Sequence, residues 1–222
     1  MASTARTDKP GTVDGILSAL VASDGSAGHP YSRSPDLLAG DRSNRNLADA
    51  AHFLCLLHGR HPGVIDLASQ RITHPVARGW IYRALAGFSV ERMFLTRLVV
   101  AAGPLPSTLG QAQSEAAVSG QTHALSTLAQ SERNGTALGA SLALVLDWRP
   151  IREILNAAAQ RFGLQAPPLD MPRLDETLAV AVAAAETPGI ERAIAFGAQQ
   201  LLIQHRGLWS LLETRDGARR EA

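Results

Sequence analysis

The 222-residue chain has little of several residue types, and each shortage excludes a class of protein. It contains one cysteine, Cys55, so an internal disulfide or a C-x-x-C metal or redox motif is impossible. Aromatic residues make up 5% of the sequence, whereas apolar residues as a whole make up 45%. Alanine and leucine therefore fill the predicted core, which favours close-packed helices over a sheet.

Charge of one sign is also lacking. The 21 basic and 20 acidic residues leave a net charge of +1, too little to attract a nucleic acid or an anionic membrane. No apolar run reaches the roughly 18 residues that a membrane-spanning helix needs. The first fifteen residues contain no apolar signal core. We therefore expect a cytoplasmic protein with no nucleic-acid or membrane partner.

The common catalytic and nucleotide-binding motifs are missing too. The sequence contains no G-x-G-x-x-G, P-loop, G-x-S-x-G or H-E-x-x-H pattern. No serine lies in a recognisable nucleophile turn, so no Ser-His-Asp triad is predicted.

Hydrophobic periodicity near 3.6 predicts an all-α fold, a compact multi-helix bundle of about six to eight helices. The segment 46–58 is apolar on nearly every side and is expected at the centre of the bundle. Pro75 and Pro188 are expected to open two long helices, because proline suits the first helical turn. Asp147 is expected to cap a separate helix that begins at Pro150. The pattern leaves open whether residues 107–147 form one helix or two.

Composition divides the chain into three parts. Residues 1–45 are rich in glycine, serine and proline and are expected to be a flexible segment with one short helix near 12–23. Residues 46–215 form the predicted helical bundle. Residues 216–222 are expected to fray.

Four polar side chains fall on predicted apolar helix faces: His58, Glu91, Glu132 and His205. Two carboxylates and two histidines from four helices resemble, in architecture, the ferritin-like metal-carboxylate bundles. Such a ligand set suits iron or manganese. The chain lacks the two Glu-x-x-His motifs of that class. Each residue also has a plain structural interpretation, such as a helix-end hydrogen bond for His58 or an arginine partner for Glu91.

Three functions remain open. The absence of catalytic motifs favours a binding or self-associating helical domain without catalysis and with no cofactor. One alternative is a ferritin-like or haem-oxygenase-like metal- or cofactor-binding enzyme. Another is an apolar small-molecule binder with a pocket lined by Phe88, Met93 and Trp209.

The final helix is expected to mediate a homodimer. It carries Leu202, Ile203, Trp209 and Leu211 besides its main apolar seam, so it has two apolar faces. The second face is expected to meet either the loop of residues 24–45 or a second subunit, and a two-fold dimer is the commonest arrangement for a self-complementary surface.

Two stretches, FLCLLHGRHPGVID and AFGAQQLLIQHRGLWSLLE, look like family signatures. With them, residues 46–215 resemble bacterial all-helical proteins of unknown function. The resemblance implies no activity.

Overall fold

The computed structural model describes residues 11–221, and 77% of these residues are helical. The described residues contain no strand, which confirms the predicted all-α class. Residues 11–221 contain nine α-helices, one more than the predicted range, because one of them is a single turn of four residues. They are α1 (Val13–Asp24), α2 (Pro35–Leu38), α3 (Ser43–His58), α4 (Val64–Ser69), α5 (Pro75–Ala102), α6 (Gln111–Ala129), α7 (Thr136–Arg161), α8 (Leu174–Ala184) and α9 (Pro188–Arg220).

Helix α7, and not α3, is the central element of the bundle. Every residue from Thr136 to Trp148 is buried, and α7 contacts α1, α3, α4, α5, α6, α8 and α9. A turn that includes Gly135 separates α6 from α7, so residues 107–147 form two helices. The predicted new helix at Pro150 is wrong, since α7 continues through this residue to Arg161. Pro150 removes one backbone hydrogen bond from α7. The helix continues because neighbouring helices pack against it on all sides.

Two glycines let α7 and α9 approach at backbone distance. A Cβ atom on Gly139 would lie 2.0 Å from the carbonyl oxygen of Ile194. A Cβ atom on Gly197 would lie 2.1 Å from the carbonyl oxygen of Thr136. Because both neighbours are backbone atoms, neither can rotate away, and the helix pair depends on these two glycines.

We expect Gly139→Ala to destabilise the fold. Separating the two helices should cost about 1–3 kcal/mol, more than the gain of about 1 kcal/mol when alanine replaces glycine in a helix. Chemical denaturation measures the difference. Gly120→Ala on α6 is the matched control, because a Cβ atom there meets nothing within 4 Å. The control should be neutral or stabilising, and equal behaviour of the two variants would contradict the close-approach argument.

The N-terminal segment is packed onto the bundle. Helix α1 lies against α8 and α9, and the side chains of Leu17, Tyr31 and Leu37 are completely or almost completely buried. The expected flexibility of residues 1–45 is therefore corrected for residues 12–45; residues 1–10 lie outside the described part. The predicted short helix near 12–23 is present as α1.

A buried charge network fixes the C-terminal part of α9. Arg215 donates to both carboxylate oxygens of Asp49 at 3.0 and 3.1 Å, and Arg219 donates to the same carboxylate at 2.6 Å. Arg215 is 2% exposed, and Asp216 is fully buried. The predicted fraying from residue 216 is wrong as far as Arg220, where α9 ends; Ala222 lies outside the described part. Charged residues read as a solvated tail in sequence are here paired across helices.

None of the described helices combines the length and the apolarity needed to cross a membrane. Cys55 is half-buried on α3, and burial raises the pKa of its thiol.

Candidate functional site

Two histidines, an aspartate and a serine form a continuous buried chain of hydrogen bonds. His58 is the last residue of α3, and His205 lies in the middle of α9; their Nε2 atoms are 2.8 Å apart. The Nδ1 atom of His205 lies 2.6 Å from Oδ2 of Asp147 on α7. Ser26 donates to Asp147 twice, through its hydroxyl at 2.6 Å and its backbone N–H at 2.7 Å. We call these four residues the buried network.

The proton positions in the buried network follow from its partners. Asp147 accepts, so Nδ1 of His205 carries a proton. The two facing Nε2 atoms share one hydrogen between them, since two N–H groups at this distance would repel. Burial, with His205 as a smaller cause, holds the pKa of His58 well below its ordinary value. His58 is therefore neutral at pH 7.

The ring of Trp148 lies between the buried network and a buried ion pair formed by Glu91 and Arg152. The ring of Trp148 meets His58 edge-on at 5.6 Å between centroids, and its indole N–H donates to Glu91 at 2.9 Å. Glu91 also pairs with the guanidinium of Arg152, which lies 4.5 Å from the centroid of the Phe94 ring. Glu91 is completely buried and has both oxygens engaged.

The structure brings together two of the four predicted metal ligands. His58 and His205 are in direct contact, whereas Glu91 points to Trp148 and Arg152. The expectation that Glu132 points inward is wrong, because α6 ends at Ala129 and Glu132 is exposed in the connection to α7. Among residues 11–221, no group of three or more His, Cys, Asp or Glu side chains is arranged to hold a metal ion. The iron or manganese site stays a prediction, now with its two histidines as the adjacent pair.

The predicted apolar pocket is not assembled. Met93 is exposed at the surface of α5, whereas Phe88 and Trp209 are buried in the core.

Sequence reasoning missed Asp147 and Ser26 as members of the buried network. Asp147 stands in the apolar run LALVLDW, and a carboxylate in such a run needs buried partners. The sequence analysis instead interprets Asp147 as a helix cap. Ser26 gave no signal, because it lies in a glycine- and serine-rich turn.

An open pocket of about 670 Å³ lies elsewhere, where α5, α7 and α9 begin. We call it the polar pocket. Its polar lining side chains are Gln70, Arg71, Thr73, His74, Ser131, Glu132, Arg133, Asn134 and Glu186. No member of the buried network lines it, so the two features are spatially separate.

A family model described as a family of unknown function, DUF6975, matches residues 21–220. The chain belongs to this family. The DUF6975 match spans the buried network and the polar pocket, and it confirms the resemblance to an uncharacterised helical family. A bacterial origin stays a prediction. No curated protein and no solved structure gives a significant match. Because DUF6975 is described as a family of unknown function, membership assigns this chain no activity.

Proposed function

We propose that the protein is a helical binding protein without catalytic activity, and that its ligand is a small molecule held in the polar pocket. The pocket itself carries this proposal. Its volume of about 670 Å³ lies within the range of about 300–1,000 Å³ typical of small-molecule sites. It also gathers polar side chains and two arginines in one concave surface.

The burial of the buried network argues against catalysis there. His58 is 3% exposed, His205 is 1% exposed, and Asp147 and Ser26 are fully buried. A substrate could reach these groups only if helices separated. A hydrogen-bonded cluster of this kind stabilises a specific packing arrangement, and the ligand site is better sought at the open pocket.

Fragment binding tests the proposal. Thr73→Trp places a large ring at an exposed residue that lines the polar pocket. Thr96→Trp is the matched control, an exposed threonine on α5 outside the pocket. In saturation-transfer NMR with a mixed fragment set, wild-type protein and Thr96→Trp should bind a common subset that Thr73→Trp loses. No binding by the wild type, or equal binding by both variants, would overturn the proposal.

The homodimer through the C-terminal helix stays a prediction. Leu202 and Trp209 are buried within the chain, and Leu211 is half-buried against the core, so Phe196 and Ile203 are the large apolar side chains that α9 leaves exposed for a partner. Light scattering measures whether the protein is a monomer or a dimer. The cytoplasmic location and the absence of a nucleic-acid partner also stay predictions.

A further inference from the structure

We infer that the protein pairs with a second copy of itself through the outer face of α9, with the two α9 helices antiparallel and Ile203 close to the two-fold axis. This inference is independent of the polar pocket and of its ligand. It begins with a row of exposed residues at steps of three and four along α9, here called the α9 stripe. The α9 stripe consists of Arg192, Phe196, Gln199, Ile203, Arg206, Ser210 and Glu213. Such spacing keeps the side chains on one side of a helix, where a second helix can contact all of them.

The centre of the α9 stripe is apolar and open to solvent. Phe196 is 44% exposed and Ile203 is 47% exposed. The guanidinium of Arg133 lies 6.0 Å from the centroid of the Phe196 ring, yet leaves that much of Phe196 uncovered. Helix α6, which packs beside α9, has one carboxylate, Glu115, and no lysine or arginine among its 19 residues. The surface around Ile203 is therefore poor in charge, as the centres of protein interfaces are.

The charges at the two ends of the α9 stripe identify the partner as a second copy. Arg192 lies 11 residues before Ile203, and Glu213 lies 10 residues after it. A two-fold axis at Ile203 therefore places Arg192 opposite the partner subunit's Glu213, and this pair occurs twice in the dimer. The difference of one residue is about 1.5 Å along a helix, which a long arginine side chain spans. Neither Arg192 nor Glu213 forms an ion pair with any of residues 11–221, so both charges are available to a partner.

The same charges select the antiparallel orientation. Two parallel α9 helices in register would place Arg192, Arg206 and Glu213 each against its own copy. Like charges that face each other across an interface are unfavourable. In the antiparallel arrangement Arg206 instead lies opposite the partner subunit's Gln199, which can accept a hydrogen bond from it.

The outer face of α5 lacks this complementarity. Helix α5 also exposes large apolar side chains, namely Tyr82, Met93 and Val100. However, every exposed charged residue of α5 is an arginine. Two copies of α5 would bring like charges together in either orientation, so α9 is the self-complementary face.

Charge reversal, measured by sedimentation equilibrium of the full-length protein, tests the pairing of charges. The wild type should be a dimer at high micromolar concentration. Arg192→Glu and Glu213→Arg should each weaken the dimer roughly tenfold, because each turns two attractive pairs into repulsive ones. The double variant Arg192→Glu/Glu213→Arg should restore the wild-type dissociation constant. Arg97→Glu, the same change at an exposed residue of α5, is the matched control and should leave the dimer unchanged.

Ile203→Glu tests the centre of the contact. Because Ile203 is half-exposed, the fold should tolerate this change, and circular dichroism checks that it does. Two carboxylates at the axis would repel each other, so Ile203→Glu should be a monomer at the concentration at which the wild type is a dimer. A monomeric wild type overturns the inference, as does a dimer that Ile203→Glu leaves intact.

Cysteine cross-linking tests the orientation. In the antiparallel dimer the two copies of residue 203 are neighbours, so Ile203→Cys should form a disulfide-linked dimer on mild oxidation. The two copies of Ser210 would lie about 20 Å apart along the helices, so Ser210→Cys should not cross-link. The wild type, which keeps Cys55, is the control for reaction of that thiol. Cross-linking at both positions indicates parallel helices and overturns the antiparallel arrangement, as does a double charge reversal that fails to restore the dimer.

Discussion

Replacing Asp147 with alanine should lower the free energy of unfolding by about 3–5 kcal/mol. The carboxylate accepts from His205 and twice from Ser26. Alanine leaves three buried donors without an acceptor, and unsatisfied buried groups cost about 1–3 kcal/mol each before the structure relaxes. Urea denaturation at neutral pH measures the loss.

Two further measurements make the test of Asp147 specific. Glu153→Ala, an exposed position on the same helix, should change stability by no more than about 0.5 kcal/mol. Amide hydrogen exchange should show faster exchange at Ser26 in Asp147→Ala, since its N–H loses its acceptor. If Asp147→Ala unfolds within about 1 kcal/mol of the wild type, the buried network contributes little to stability.

The second large effect is expected at Asp49, in the middle of α3. Asp49→Ala should also cost about 3–5 kcal/mol, because it leaves the guanidiniums of Arg215 and Arg219 buried without their carboxylate. Those arginines are 2% and 6% exposed, so water cannot replace the lost partner without local opening. Thermal and urea unfolding should both show that Asp49→Ala is less stable than the wild-type protein.

Asp175→Ala tests whether burial causes the effect of Asp49→Ala. Asp175 pairs with Arg173 in a surface ion pair that is exposed on both sides. Surface pairs of this kind contribute little, so the midpoint of unfolding should stay at the wild-type value. An equal loss in both variants would show that the stability of this chain depends on its overall charge and not on the buried ion pairs of Asp49 with Arg215 and Arg219.

Most helices could be predicted because their signals are local. Pro75 and Pro188 mark the first residues of the two longest helices, as the sequence indicates. The periodic apolar residues also place His58 and His205 on inward faces, and both are buried. Fold class and these two inward histidines thus follow from neighbouring residues alone.

What the sequence could not give depends on partners far along the chain. Ser26 donates a hydrogen bond to Asp147, which lies 121 positions later in the chain, and no residue near Ser26 indicates that contact. The prediction for Glu132 was wrong because the helical periodicity of the sequence continues beyond Ala129, whereas α6 ends there. The polar pocket joins three loops that follow or precede different helices, so its arginines look like ordinary surface residues in sequence.

The long span of these contacts also sets an order of events during synthesis. Ser26, Asp49 and His58 are synthesised well before their partners on α7 and α9. The separation is 121 positions for Ser26, 147 for His58, and 166 and 170 for the two arginine partners of Asp49. A nascent chain that ends before α9 therefore exposes an unpaired carboxylate and an unfilled groove along α7. Domains usually fold as units, and closing such distant contacts is slow. This fold can be completed only after its last described helix has been made.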